Sequence, residues 1–322
     1  RQTRPIDAVG LYVPAGTAPL PSTAIMLAVP AALADCPVRI LCTPPRRDGR
    51  ADPAVVVAAQ SCGVERIFKL GGAQAVAAMA YGTESVPKVD KIFGPGNAWV
   101  TAAKQAAAAD ANGAALDMPA GPSEVMVVAD AQADPRAVAL DLMAQSEHGE
   151  DSQSLLVCTD PALAAAVQAE IETALPGLSR REIIRAALAH GSVILTEDLD
   201  QAFEVVNRYA PEHLIIQMNN AREYVDLIRN AGSVFLGYWT PESVGDYCSG
   251  TNHVLPTYGY ARNYSGLSVS DFQKRLTFQE LSYSGLEGLA PTVETLAGLE
   301  GLDAHARAVT VRLKNADGSA AA

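Results

Sequence analysis

The sequence is poor in cysteine, histidine and positive charge, and each shortage excludes something. Five cysteines occur, Cys36, Cys42, Cys62, Cys158 and Cys248. The number is odd and none lies in a CxxC pair, so a disulfide framework and a thiolate metal site are not expected. A reduced, cytoplasmic protein is the expectation. Lysine and arginine total 24 against 36 aspartates and glutamates, a net charge of −12. Such a surface repels a phosphate backbone, so nucleic acid is not an expected partner. No apolar run reaches the roughly 18 residues that a membrane span needs, and no signal peptide is seen. No Met opens the chain, which starts RQTRPIDAVGLYVP. The expectation is a processed protein or a fragment.

What is present suits a globular protein with a sizeable core. Hydrophobic residues make up 49% of 322 and charged residues 19%, a length that suggests about two domains. Short β-branched runs alternate with alanine-rich stretches. The runs predict strands at 38–43, 66–70, 91–94, 124–129, 154–158, 192–196, 213–217 and 233–237. Helices are predicted at 53–62, 72–81, 97–109, 134–147, 161–174, 180–190, 198–208 and 221–229. Apolar strands alternating with helices predict parallel sheets covered on both faces. The pattern is lost after about residue 250, and 286–313 reads as two helical pieces before a frayed tail, NADGSAAA. The predicted fold is α/β, with two Rossmann-like domains and a small helical C-terminal arm. Its boundaries are 1–123, 124–267 and 268–322.

Two glycine-rich βα turns stand out, KLGGAQAVAAM at 69–79 and FGPGNAWVTAAK at 93–104. Such turns can present backbone N–H groups to an anion. Neither matches GxGxxG, and a tight turn needs glycine for its own sake, so the structural reading is favoured for both.

Four of the five histidines, His148, His213, His253 and His305, sit in polar, turn-rich or helix-end contexts. The fifth, His190, ends a predicted helix, where a cation suits the dipole. Gln145 and His148 are three apart and would share a helix face. With Asp246 and His305 they could hold a borderline cation such as zinc. Spacing alone does not assemble that set, since its members are far apart in sequence. Glu212 and His213 are adjacent at a strand start, where side chains diverge; an acid–base pair there could act on two different protons, or His213 could be a buried structural residue. Ser123, in DMPAGPSEV, is outside any GxSxG elbow and reads as a substrate contact.

Nine stretches together resemble histidinol dehydrogenase, the enzyme family that ends histidine biosynthesis. They are GLYVPAGTAPLPST, GGAQAVAA, VDKIFGPGNAWVTAAK, DMPAGPSEV, AQSEHGEDSQS, APEHL, AGSVFLG, GDYCSGTNHVLPTYG and LDAHARAVTVR. They run in unbroken order from residue 1 to 313, and the stretch TYGYARNYSGLSVSDFQKRLTFQEL resembles the bacterial form. The resemblance implies one zinc per subunit on Gln145, His148, Asp246 and His305, and a catalytic pair, Glu212 and His213. It implies L-histidinol as substrate, bound by Ser123, His253 and Glu300 together with the metal ligands and His213. NAD contacts are implied at Tyr12, Gln74 and Asn97. A homodimer is implied, in which the C-terminal helices carry Glu300 and His305 to the other subunit's site. The family has an N-terminal segment before RQTRP that this chain lacks, so an incomplete second domain is expected. Cys248 stands where alanine is common. Competing readings are oxidation of another alcohol, such as a sulfonated diol, a zinc hydrolase with Glu212 as base, and an inactive truncated chain that still binds ligand and dimerises. Glu300 and His253 favour a substrate with an amine and an imidazole.

Overall fold

In the computed structural model, the described residues are 1–15, 18–119 and 121–317, with side chains to residue 314. The chain opens with β1 (Gln2–Pro5) and β2 (Ala8–Tyr12). It continues with α1 (Pro21–Leu33), β3 (Val38–Thr43), α2 (Pro53–Ser61), β4 (Arg66–Lys69), α3 (Gly72–Tyr81), β5 (Lys91–Phe93), α4 (Ala98–Ala109) and β6 (Ala115–Leu116). Strands β2 to β6 form a five-stranded sheet in the order β4-β3-β2-β5-β6, parallel throughout. Neighbouring residues of one strand point to opposite faces. Leu41 and Phe93 pack with α1 and α2, while Ile40 and Ile92 pack with Met79 of α3. Both faces are therefore covered, and the strands are apolar on both sides.

A second run follows: β7 (Glu124–Ala129), α5 (Pro135–Ser146), β8 (Gln153–Cys158), α6 (Pro161–Ala174), α7 (Arg181–Leu188), β9 (Ser192–Leu195), α8 (Leu199–Tyr209), β10 (His213–Gln217), β11 (Ser233–Leu236) and α9 (Glu242–Tyr247). Its sheet is also five-stranded and parallel, ordered β11-β10-β7-β8-β9. Both sheets wind alike. The first strand is central, the next two step to one side, and the last two step to the other. Three helices, α2, α5 and α6, begin with Asp-Pro: the aspartate caps the second helical N–H, and proline's fixed φ suits the first helical position.

The strand–helix alternation agrees with the sequence reading, and three differences have local causes. The central strand β2 escapes notice because Gly10 interrupts a short run. The glycine is needed there, since a Cβ would meet the Met79 sulfur at 2.7 Å. Helix α1 also escapes notice, because it begins at Pro21 and carries Pro30 near its end. The helix expected at 221–229 is instead a 3₁₀ segment, Ala221–Leu227. His190 lies just beyond α7, with its N–H on the Ala187 carbonyl.

The chain divides into two units, residues 4–274 and residues 1–3 with 275–322. Strand β12 (Gln273–Leu276) pairs with β1 in a two-stranded ribbon. Helices α10 (Tyr283–Leu299) and α11 (Asp303–Asp317) follow, broken at Gly301, whose φ of +68° suits only glycine well. The expected frayed tail lies, from residue 318, outside the described residues. Among the described residues no helix is long and apolar enough to cross a membrane.

Candidate active site

The N-terminal edge of the second sheet collects the chemistry. Strands β7 and β10 are neighbours, with Val125 beside His213, so the preceding residues Glu124 and Glu212 also meet. The Glu124 N–H donates to the Glu212 carboxylate at 2.8 Å. The Glu124 carbonyl lies 3.2 Å from His213 Nδ1, and Glu212 Oε2 lies 3.5 Å from the same nitrogen. Nδ1 therefore faces acceptors and carries a proton, which leaves Nε2 as the basic nitrogen when the ring is neutral. Nε2 faces Asp246 Oδ1 at 3.9 Å. The expected divergence of Glu212 and His213 does not occur. Glu212 precedes β10, just after Ala210 in the left-handed region, so the strand's alternation has not begun and its carboxylate folds back to the imidazole.

Two helices bring the remaining groups. Helix α5 ends at Ser146 and Glu147 caps it, so Gln145 is in the last turn and His148 just beyond, its N–H on the Gln145 carbonyl at 3.2 Å. The turn continues far enough to keep both on one side. Helix α9 carries Glu242 and Asp246, four apart and thus on one face. Asp246 is the hub. Its carboxylate lies 3.9 Å from His148 Nε2 and 3.5 Å from His253 Nδ1, in addition to its approach to His213. The loop after α9 is tied down by the Tyr258 N–H, which donates to Glu124 at 3.0 Å. Ser123 precedes β7, and its carbonyl accepts from the Gln153 N–H at 2.9 Å.

Burial and crowding set the protonation states. Burial pushes Glu124 up to about 7 and Glu242 up to about 8. Burial disfavours a charged His213, yet the Glu212, Glu242 and Asp246 carboxylates around it prevail and raise its pKa. For Asp246, burial is outweighed by the His253 hydrogen bond and the nearby imidazoles, which hold it low. His148 keeps one side open to solvent, with 38% of its side chain exposed, and desolvation of its inner side lowers its pKa.

This donor set fits a divalent cation. Ligand atoms of His148, Glu242 and Asp246 lie within 4.8 Å of one another. The fully buried Gln145 amide abuts Glu242. With its nitrogen toward Glu242 it donates to that carboxylate, and its oxygen accepts from the Glu124 N–H at 3.0 Å. Turned the other way, its oxygen meets only carboxylate oxygens, an arrangement a cation satisfies. Oxygen and imidazole donors without thiolate suit zinc or a harder ion. His253 Nε2 is buried with no partner among the described residues, a polar atom of the kind a substrate satisfies.

The other expected residues lie elsewhere. Tyr12 ends β2, and its hydroxyl accepts from the Gly72 N–H at 3.0 Å. Gln74 is exposed in the first turn of α3. Asn97 caps α4, accepting from the Val100 N–H at 3.1 Å. All three sit at the carboxyl ends of first-sheet strands, where ligands of doubly wound sheets bind. Glu300 is the C-cap of α10 and His305 lies in the first turn of α11; both are exposed and both belong to the unit of residues 1–3 and 275–322.

A sequence profile described as histidinol dehydrogenase matches residues 1–313. The chain belongs to the histidinol dehydrogenase family. The histidinol dehydrogenase of Xanthomonas euvesicatoria pv. vesicatoria (strain 85-10) is 60% identical over 310 residues, 96% of this chain and 72% of that protein. That of Vibrio parahaemolyticus serotype O3:K6 is 57% identical over 312 residues, 97% and 72% of the two chains. The crystal structure of histidinol dehydrogenase from Elizabethkingia anophelis superposes with a TM-score of 0.95 at 48% identity, covering 98% of this chain and 73% of that one. Like the family, this chain is an NAD-using oxidoreductase that converts histidinol to histidine.

Sequence reasoning missed Glu124 and Glu242. Glu242 had a signal: PESVGD places two carboxylates four apart after a proline, a short helix with one acidic face. Glu124 had none, because it aims the pair with its backbone, while its carboxylate accepts from the Tyr258 N–H.

Proposed function

We propose that this site performs both oxidations in place, L-histidinol to L-histidinal and then to L-histidine, consuming two NAD and one water. Residues 1–123 serve the cofactor, through Tyr12, Gln74 and Asn97. Residues 124–267 carry the metal and catalytic groups, and residues 268–322 form an arm exchanged in a homodimer. Zinc, one per subunit, would be held by Gln145, His148, Asp246 and His305 of the partner subunit; when bound it supplies Lewis acidity and an anchor for a nitrogen-bearing substrate.

The chain's own groups do the proton work. His213 Nε2 takes the hydroxyl proton as hydride leaves the carbinol carbon, with Nδ1 held by the Glu124 carbonyl so that the tautomer is fixed. A cation among the carboxylates offsets the field that otherwise keeps a proton on His213, and burial then favours the neutral base. Glu212 takes a proton from the water that attacks the aldehyde. His213 acts again as the second hydride departs. Ser123, His253 and Glu300 of the partner subunit orient the substrate, and the buried His253 Nε2, without a partner among the described residues, supports that part of the reading.

The observation that carries this reading is the convergence of His148, His213 and His253 on Asp246, with Glu212 beside His213. The test is NADH yield from limiting L-histidinol. Two NADH per histidinol is expected. One NADH with histidinal released would confine the site to the alcohol step, and none from a metal-loaded chain would overturn the reading.

A further inference from the structure

A buried ion pair outside the metal cluster joins the cofactor turn to the strap that leads to the catalytic pair. Lys104 of α4 and Asp117, just after β6, pair with side chains only 5% and 1% exposed. Lys104 Nζ also donates to the Gly94 carbonyl at 2.9 Å. The second Asp117 oxygen accepts from the Gly94 N–H at 2.7 Å, and the first accepts from the Met118 N–H at 2.7 Å. Gly94 is thus held by both of its backbone polar groups. Its φ of +119° is closed to other residues. A Cβ there would run into the Tyr12 carbonyl and approach Leu27 at 3.0 Å. The turn from Gly94 to Asn97 is anchored at Gly94 by the Lys104–Asp117 pair.

The anchor has two ends. On one side, Gly94 leads to Asn97, the cap of α4. On the other, Asp117 and Met118 open the segment that runs on to Ser123 and Glu124, of which residue 120 lies outside the described residues, and the Glu124 backbone holds Glu212 and His213. Gly94, Gly96 and Lys104 from the turn side lie against Met118 and Pro119 of that segment, with no room for a water molecule between them. Stability alone is a weak reason for such a pair, because well-packed apolar residues of similar volume usually do as well.

We infer that Lys104 and Asp117 are positioning residues for hydride transfer: they fix the cofactor turn at a set distance from the strap that carries the catalytic pair. The inference rests on the proposed placement of NAD at Tyr12 and Asn97. A misplacement of about 1 Å can cost on the order of 100-fold in rate, so a firmly held cofactor turn has a clear use.

The test compares Lys104→Met, Lys104→Arg and Asp117→Asn with the parent, each metal-loaded. Melting temperature, zinc content, histidinol affinity and KM for NAD are measured, with the isotope effect on histidinol deuterated at the carbinol carbon. Lys104→Met is expected to raise KM for NAD about tenfold or more and to enlarge the isotope effect, as hydride transfer becomes limiting. Zinc content and histidinol affinity stay at parent values. Lys104→Arg recovers much of the loss, because a guanidinium can still donate to both Asp117 and the Gly94 carbonyl. Asp117→Asn keeps an acceptor for Gly94 but loses the ion pair, so it falls between parent and Lys104→Met and serves if the latter does not fold. A lower melting temperature with unchanged NAD KM and isotope effect would overturn the inference. A parent that binds histidinol but never reduces NAD would sink the cofactor reading, and the positioning role with it.

Discussion

Glu124 holds Glu212 through its backbone, N–H to carboxylate at 2.8 Å, while its carbonyl takes the neighbouring His213 Nδ1 at 3.2 Å. One peptide-bonded residue therefore aims both members of the proposed acid–base pair, and it does so without using its side chain.

The pair should separate by reaction step. Glu212→Gln keeps an acceptor for the Glu124 N–H but cannot take a proton from water, so it should impair histidinal oxidation more than histidinol oxidation. His213→Asn should slow both. Losses of about 10²–10⁴-fold are expected for a general base. Supplying histidinal directly isolates the second step; parent-like rates there in Glu212→Gln would end the water-activation role.

His148→Ala should lose the bound metal. His148 is one of three residues whose ligand atoms cluster within 4.8 Å, whereas loss of a group that only orients a ligand costs about 10–100-fold in affinity. Elemental analysis after dialysis against a mild chelator decides. Full zinc retention would remove His148 from the ligand set.

Asp141 offers a stability test of a buried carboxyl. It lies in α5 one turn before Gln145, 8% exposed, and burial pushes its pKa up to about 7, against the opposing hydrogen bond with Gln217. The unfolded chain, with an ordinary carboxyl near 3.9, binds fewer protons than the folded one between about pH 4 and 7. Stability from this group is therefore full below about pH 4 and is lost as pH rises towards 7. Asp141→Asn should melt higher than the parent at about pH 8, by roughly 2 °C or more, and gain nothing near pH 4. Parallel pH profiles for the two metal-free proteins would contradict the assignment.

The proposed exchange of the arm has a mixing test. His148→Ala and His305→Ala chains should each be inactive alone. Refolded together they form some dimers in which one site is intact, because both defects fall on the same composite site. If the arm acts within its own chain, every site keeps one defect and no activity returns.

Much of this was legible in the sequence, for physical reasons. Short β-branched runs such as 124–129 and 213–217, set between helical stretches, read as strands covered on both faces, and the structure buries all six and all five residues. The Asp-Pro helix starts announce themselves through local chemistry alone. The histidines stand out because four of five sit in polar, turn-rich or helix-end contexts. Those are properties of neighbouring residues, and neighbouring residues are what a sequence displays. The tertiary structure alone decided the rest. It brought His148 within 3.9 Å of Asp246 across 98 positions of chain (246 − 148). It also gave the two sheets one winding despite no visible repeat, and placed β2 at the centre of the first sheet although Gly10 hides it. Glu124 acts through backbone groups that every residue possesses, and Lys104 meets Asp117 only because a helix and a strand edge pack side by side. Contacts of that kind follow from how elements are stacked, and stacking is fixed by the sum of many burials, which no single stretch of residues contains.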